Sequence, residues 1–377
     1  MTLGTFTAAG RRLRLSLALA AALGGAAACG GGGDTVNSFD PQRLLVFGDE
    51  ASVLSGPPAD EPGPGANQPA PIGSKYSINA LDPVTDGTTE DLEPTASAQN
   101  PDGYGNCRSN PLWIQELADE YGFGFEQCKG DRPVRATTFA ANGATAAGVK
   151  AQIDAFLRTD RFSSRDLVGI YAGLHDILEI YRGVTSASQC RYNASDPDSS
   201  GAAARAARER GDDLAKQVAR VADNGNGGRV LFVTVPDVGA TPFGRGENEA
   251  HDNDFDRRDC LEDLTDAFNG GLRANKDIQD GRHVGLVALD EQLDLILDEP
   301  DDWDYDNVTQ AACLTEIPLD PNNPTGAKAA MSSLLKCTTA TVARSGTHLW
   351  ADALHFGPEL HERFGELAER RADRNPF

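Results

Sequence analysis

The stretch Arg43-Leu44-Leu45-Val46-Phe47-Gly48-Asp49-Glu50-Ala51-Ser52 decides how the rest of the chain is read. Its unbroken apolar run is too short for a helix and lacks the alternation of a strand with one wet face, so it predicts a strand buried on both sides. Gly48 ends the run, and the polar residues after it are turn and helix-start chemistry. Working outward, helical spacing recurs over residues 112–121, 149–157, 202–222, 259–278 and 358–372. Strand-like runs fall at 167–171, 229–235 and 283–289. Strands alternating with helices predict an α/β fold of three α/β/α layers, with a mainly parallel sheet covered on both faces. In such a fold ligands bind beyond the carboxyl ends of the strands, which is where Gly48 to Ser52 would lie.

With 40% apolar and 24% charged residues, the chain is neither wholly disordered nor a membrane bundle. A formal net charge of −23 argues against nucleic acid, because phosphate neutralisation needs a basic surface. Residues 1–28 carry the marks of an export signal: Arg11, Arg12 and Arg14, a short apolar stretch, then Ala26-Ala27-Ala28 before Cys29. The stretch falls short of the roughly 20 apolar residues of a membrane span. Cys29, followed by Gly30 to Gly33, looks like the lipid-bearing cysteine of a bacterial lipoprotein. The chain is therefore expected to be exported, either to the cell envelope, lipid-anchored in the periplasm or at the surface, or secreted, and to touch the membrane only through the Cys29 lipid.

The other six cysteines, Cys107, Cys128, Cys190, Cys260, Cys313 and Cys337, suit an oxidising compartment. Neighbours in sequence are expected to pair, giving Cys107 with Cys128, Cys190 with Cys260 and Cys313 with Cys337. Zinc is disfavoured by spacing, since no CxxC pair occurs. After a 29–42 linker, residues 43–377 read as a single domain. Its 56–103 stretch is rich in Pro, Gly and acidic residues and forms either a wall beside the site or a solvated spacer.

Three later segments complete a set with the Gly48 turn: Asn142-Gly143-Ala144-Thr145, Ala172-Gly173-Leu174-His175-Asp176 and Asp352-Ala353-Leu354-His355. Tyr104 to Trp113 and Asn307-Val308-Thr309 add to it. In this order the set resembles the SGNH, or GDSL, hydrolases, a family of esterases and lipases. The resemblance implies a flavodoxin-like sheet, a nucleophile just past the first strand, an oxyanion hole and a closing Asp-x-x-His dyad. It assigns Gly143 as a backbone donor, Gly173 to the substrate-binding block, Asp352 as the orienting carboxylate and His355 as the base. The chemistry fits those residue types: a carboxylate fixes the imidazole, which moves the proton, and preorganised donors meet the developing oxyanion.

Two positions depart from the family. Glu50 stands where it has its serine, and His175 where it has an Asn donor. Ser52 cannot substitute, because on a helical turn of about 100° per residue it points roughly opposite to Glu50. Hydrolysis of an ester-containing lipid or carbohydrate then needs Glu50 as base or nucleophile, with His355 activating water. Glu50, His175 and His355 could otherwise bind a divalent metal, or pair in a pocket that binds without turnover, or remain as a relic in a surface interaction module. No cofactor is expected for the hydrolytic reading.

Overall fold

The computed structural model describes residues 39–54, 74–79, 110–128, 132–224, 228–279, 281–313, 316–318, 328–330, 337 and 346–374. Residues 1–28, expected to be an export signal, Cys29, most of the 56–103 stretch and Cys107 lie outside the described residues.

Six strands, β1 (Arg43–Gly48), β2 (Gly124–Phe125), β3 (Val134–Thr138), β4 (Asp166–Tyr171), β5 (Arg229–Val233) and β6 (Val284–Val287), form one sheet in the order β2-β3-β1-β4-β5-β6. Every pairing in it is parallel. Apart from the two-residue edge strand β2, the order across the sheet is second, first, third, fourth, fifth, which is the flavodoxin-like winding. The chain leaves β1 toward β3 on one side and returns to β4 on the other, so a crevice opens above the carboxyl ends of these three strands.

The helices are α1 (Trp113–Glu120), α2 (Ala146–Thr159), α3 (Leu174–Tyr181), α4 (Ala187–Cys190), α5 (Ala202–Asn224), α6 (Pro242–Ala250), α7 (Arg257–Ala274), α8 (Leu289–Asp298) and α9 (Pro358–Asp373). Successive residues of β1 point to opposite faces, and both faces are filled. Leu45 and Phe47 pack with apolar residues of α2, α3, α5 and α7. Leu44 and Val46 pack with those of α1, α8 and α9. Here Trp113 of α1 stacks on Phe364 of α9, with ring centroids 4.2 Å apart. The apolar run that looked doubly buried in sequence is therefore the centre of a three-layer α/β/α core. No helix among the described residues is long and apolar enough to cross a membrane.

Two smaller ladders complete the chain: β7 (Asn307–Ala311) with β10 (His348–Trp350), and β8 (Glu316–Pro318) with β9 (Lys328–Ala330). Cys190 is bonded to Cys260, tying α4 to α7, and Cys313 to Cys337. Cys128 is also disulfide-bonded.

Several boundaries differ from the sequence expectation. The 229–235 strand ends at Val233, because the Val235 amide turns to Asn269 Oδ1 at 2.9 Å. The 259–278 helix stops at Ala274, where Asn275 caps a separate short turn by accepting the Asp277 amide at 2.9 Å. The 283–289 strand gives way to α8 at Leu289. β3, α3, α6 and α8 were not anticipated as elements: α3 is two turns long, and the half-exposed β3 lacks the apolar run that marks β1.

Gly48 has φ +149°, and a Cβ there would overlap the Tyr171 carbonyl oxygen of the neighbouring strand. Gly48→Ala should therefore destabilise the fold by about 3 kcal/mol or more, read from urea unfolding midpoints. A loss below about 1 kcal/mol would show that β1 and β4 separate easily at this point.

Candidate active site

Asp49 shapes the turn that follows β1. Its amide donates to Tyr171 O at 3.0 Å, and its Oδ1 accepts the Ala51 amide at 3.2 Å, which starts a one-turn 3-10 helix over Glu50–Ser52. Glu50 is thereby aimed over the carboxyl edge of the sheet, yet it is only 1% exposed. Ser52 points elsewhere, as its position on the turn implied: it is wholly buried and its Oγ accepts Trp113 Nε1–H at 3.0 Å.

Three other segments converge on the Glu50 carboxylate. The loop between β3 and α2 presents the Gly143 amide, which donates to Oε2 at 3.0 Å. Gly173 starts α3 at φ +141°, where a side chain would strike Phe268 and Val235. That start places His175 in the first turn, with Nε2 2.6 Å from Oε1. In the loop before α9, Asp352 Oδ1 accepts the amides of Leu354 and His355, each at 2.8 Å. Both Asp352 oxygens are 2.9 Å from His355 Nδ1, and His355 Nε2 is 3.1 Å from Glu50 Oε1. The structure thus joins Glu50, His175, His355, Asp352 and Gly143 in one network. Gly173 lies outside it and acts through the start of α3.

Charge follows from this geometry. Burial alone would push the Glu50 carboxyl up, but hydrogen bonds from His175 and His355 and the charges of both imidazoles hold it well below the usual carboxylate range. Burial would lower His355, but hydrogen bonds to Asp352 and Glu50 and their two negative charges raise it to about 10. Asp352 is held below its ordinary value against burial, chiefly by its hydrogen bond from His355. Asp49 goes the other way: burial and the adjacent Glu50 charge push its carboxyl well above the usual carboxylate range, favouring its neutral form. At neutral pH His355 is therefore an imidazolium that donates from both nitrogens. It is an acid in the resting site, where the resemblance led one to expect a base.

One cavity is lined by the network itself, and a second shares one wall residue with it. The first, lined by Asp49, Glu50, Tyr171, His355 and His361 among others, has about 20 Å³ of space accessible to water. The second, of about 390 Å³, is lined by Leu178, Tyr181, Val184, Phe243, Glu247 and Arg257, and both cavities include Leu354 in their walls. The metal alternative finds no support in this arrangement. Both imidazoles contact one carboxylate oxygen directly, and the His/Cys/Asp/Glu group whose ligand atoms converge among the described residues is Glu120, Glu369 and Asp373.

Sequence reading missed three lining residues. Tyr76 comes from the 56–103 stretch, whose described part, residues 74–79, is buried against the site. Its ring centroid is 5.9 Å from that of His355, its hydroxyl accepts Asn142 Nδ2–H at 3.0 Å, and its neighbour Ser77 donates to Phe356 O at 2.9 Å. Within the described part of that stretch, Tyr76 lines the site, and the rest of it lies outside the described residues. Asp49 was noted only as part of the turn. His361, six residues past His355, had no signal beyond being a histidine in a helical apolar pattern.

No family model matches the chain, and no curated protein matches its sequence. Among solved structures it is similar to a member of the lipolytic G-D-S-L family from Veillonella parvula, at 11% identity and TM-score 0.34 over 88% of this chain and 95% of that one. It is similar also to a candidate GDSL-like lipase from Parabacteroides merdae, at 8% identity and TM-score 0.37 over 88% and 97%. A third, an extracellular lipase from Streptomyces rimosus, is 16% identical with TM-score 0.32 over 66% and 80%. The solved structures that the chain is similar to thus include proteins of the family that its motifs resemble.

Replacing one of the two carboxylates beside His355 should lower its titration. In Glu50→Gln the ring, followed by NMR, should titrate well below about 10; an unchanged value would mean Asp352 alone holds the proton. Stability carries the same signature. A group raised in the fold stabilises fully below its ordinary value of 6.5, and that contribution fades as pH rises toward 10. The destabilisation of Asp352→Asn relative to the parent should accordingly be larger at pH 6 than at pH 10.5, measured by urea unfolding.

Proposed function

We propose that this chain is an exported, lipid-anchored hydrolase of ester-type carbon–oxygen bonds that works through a covalent glutamyl intermediate on Glu50. The observation that carries the reading is the division of labour on one carboxylate: Oε2 takes the Gly143 amide, while Oε1 faces His355 Nε2, whose ring Asp352 orients. A backbone donor placed on the protein's own carboxylate favours an oxyanion that develops at Glu50 rather than on the substrate. Export is supported by the two disulfides of the described residues, which suit an oxidising compartment.

Two balanced steps follow. In the first, Glu50 Oε1 attacks the alkyl carbon of the ester, the carbon–oxygen bond breaks with its electron pair going to the departing carboxylate, and His355 gives that oxygen its proton. His355 becomes neutral as Glu50 loses its charge, so the imidazolium is spent when its partner anion disappears. In the second, water attacks Glu50 Cδ while neutral His355 takes its proton, and Gly143 N–H meets the oxyanion at Oε2. Collapse releases the alcohol and returns the carboxylate. The body of the substrate fits the 390 Å³ cavity, whose volume is in the range of small-molecule sites.

The test is isotopic. With β-butyrolactone as probe in ¹⁸O-water, label in the hydroxyl of the 3-hydroxybutyrate product is expected, because that oxygen passes through Glu50. Label in the carboxyl would mean acyl-side attack and would sink the mechanism. Glu50→Gln should abolish turnover with the fold retained; absence of turnover in the parent favours a binding pocket instead. A second variant examines positioning alone. Glu50→Ser with His175→Asn installs the family's residue types opposite His355, and gain of 4-nitrophenyl acetate hydrolysis is expected. Narrowing the larger cavity with Leu178→Trp should raise KM by about tenfold with kcat little changed.

A further inference from the structure

The smaller cavity holds two buried residues with polar atoms that no group among the described residues satisfies. Asp49 Oδ2 has no hydrogen-bond partner among the described residues, and neither has either ring nitrogen of His361. Both residues are 1% exposed, and both line the same cavity as Glu50 and His355. Buried polar groups are nearly always bonded, so two orphans on one cavity point to something that belongs in it. The space, about 20 Å³ accessible to water, is enough to seat an ordered water.

The two residues are chemically matched for that role. The neutral form of Asp49, favoured for the reason given above, donates. Burial, with the charges of Lys75 and His355 acting in the same direction, lowers His361 to about 3, so its ring is neutral and offers one acceptor and one donor nitrogen. Phe356 packs against the His361 ring at 5.6 Å between centroids, and the helical bond from its amide to Gly357 O fixes the backbone. Neither group has a part in the first chemical step.

We propose that this cavity seats the hydrolytic water of the second step, held by Asp49 and His361 beside the glutamyl carbonyl. The inference rests on the glutamyl reading. Water oxygen accepts from Asp49 and directs one hydrogen to His361 and the other to neutral His355. As its oxygen bonds to Glu50 Cδ, that second proton moves to His355 and the carbonyl electron pair moves to Oε2. The bond from Cδ to the alkyl oxygen then breaks, and His355 returns the proton to the leaving alcohol. The remaining water proton passes from the new carboxyl to His355, restoring the ion pair. His361 is then a catalytic residue in the sense that it touches the attacking water, with no proton lasting on it.

His361→Phe removes both nitrogens at similar size, and His361→Asn keeps a polar group. With β-butyrolactone, intact-mass measurement after rapid quench should show the Glu50 adduct accumulating in His361→Phe at an unchanged rate of formation, while turnover falls at least about tenfold. His361→Asn should accumulate less adduct than His361→Phe. Equal slowing of adduct formation and turnover, or no accumulation in a folded variant, would overturn the assignment while leaving the glutamyl mechanism intact. If the parent forms no adduct at all, the glutamyl reading fails first. A crystal structure of the parent then decides the water site: solvent density between Asp49 and His361 supports it, and an empty cavity overturns it.

Discussion

A carboxylate buried to 1% exposure at the carboxyl edge of the sheet is the constraint on which the site depends. An isolated charge in that position would cost far more than a domain's net stability unless donors surround it. Glu50 meets that requirement with one backbone amide and two imidazoles, each from a different part of the chain. The loop after β3, the start of α3 and the turn before α9 must therefore all be in register with the end of β1. The central placement of β1 makes this possible, because the strand order reverses there and three loops share one crevice.

The same anion sets the protonation of its neighbours in opposite directions. His355, on the donor side, is pulled up to about 10, whereas Asp49, one residue away on the chain, is pushed well above its usual range by burial and the like charge. Two groups adjacent to one carboxylate are thus driven toward an imidazolium and a neutral acid. That ordering makes a serine-type first step, in which neutral imidazole takes a hydroxyl proton, the wrong description of this site. It suits instead a sequence in which the acid acts first and becomes a base only after Glu50 has been neutralised.

How much of this was legible in the sequence depends on whether the signal was local. The β1 run, the long helices and a parallel sheet covered on both faces follow from apolar patterning, whereas the flavodoxin-like winding was implied by the resemblance, and the structure has both. The convergence of Glu50, His175, Gly143 and His355 was expected through the resemblance alone, because residues separated by up to 305 positions share no periodicity. Tyr76 was invisible: a buried segment inside a Pro- and Gly-rich stretch is held by scattered bonds, such as Asn79 N–H to Cys337 O at 2.7 Å, that no pattern announces. Nor could the sequence reveal that His361 is neutral and unsatisfied, since both properties arise from burial against Phe356 and from two distant positive charges.

The two departures from the family's residue types are physically one change. Glu50 puts an anion where the resembled family has a neutral hydroxyl, and a buried anion there calls for a partner from position 175. His175 places a ring nitrogen 2.6 Å from Glu50 Oε1, and does so from the first turn of α3, where backbone amides already favour negative charge. The converse also holds: His175 without Glu50 would lose its side-chain hydrogen bond among the described residues. Replacing either residue alone leaves its partner with an uncompensated group, so the energetic effects of the two replacements are coupled rather than additive. Such a pair is a second stable solution for the same pocket. Its chemistry has to be derived from the charges it contains, not from the serine that the surrounding motifs would lead one to expect.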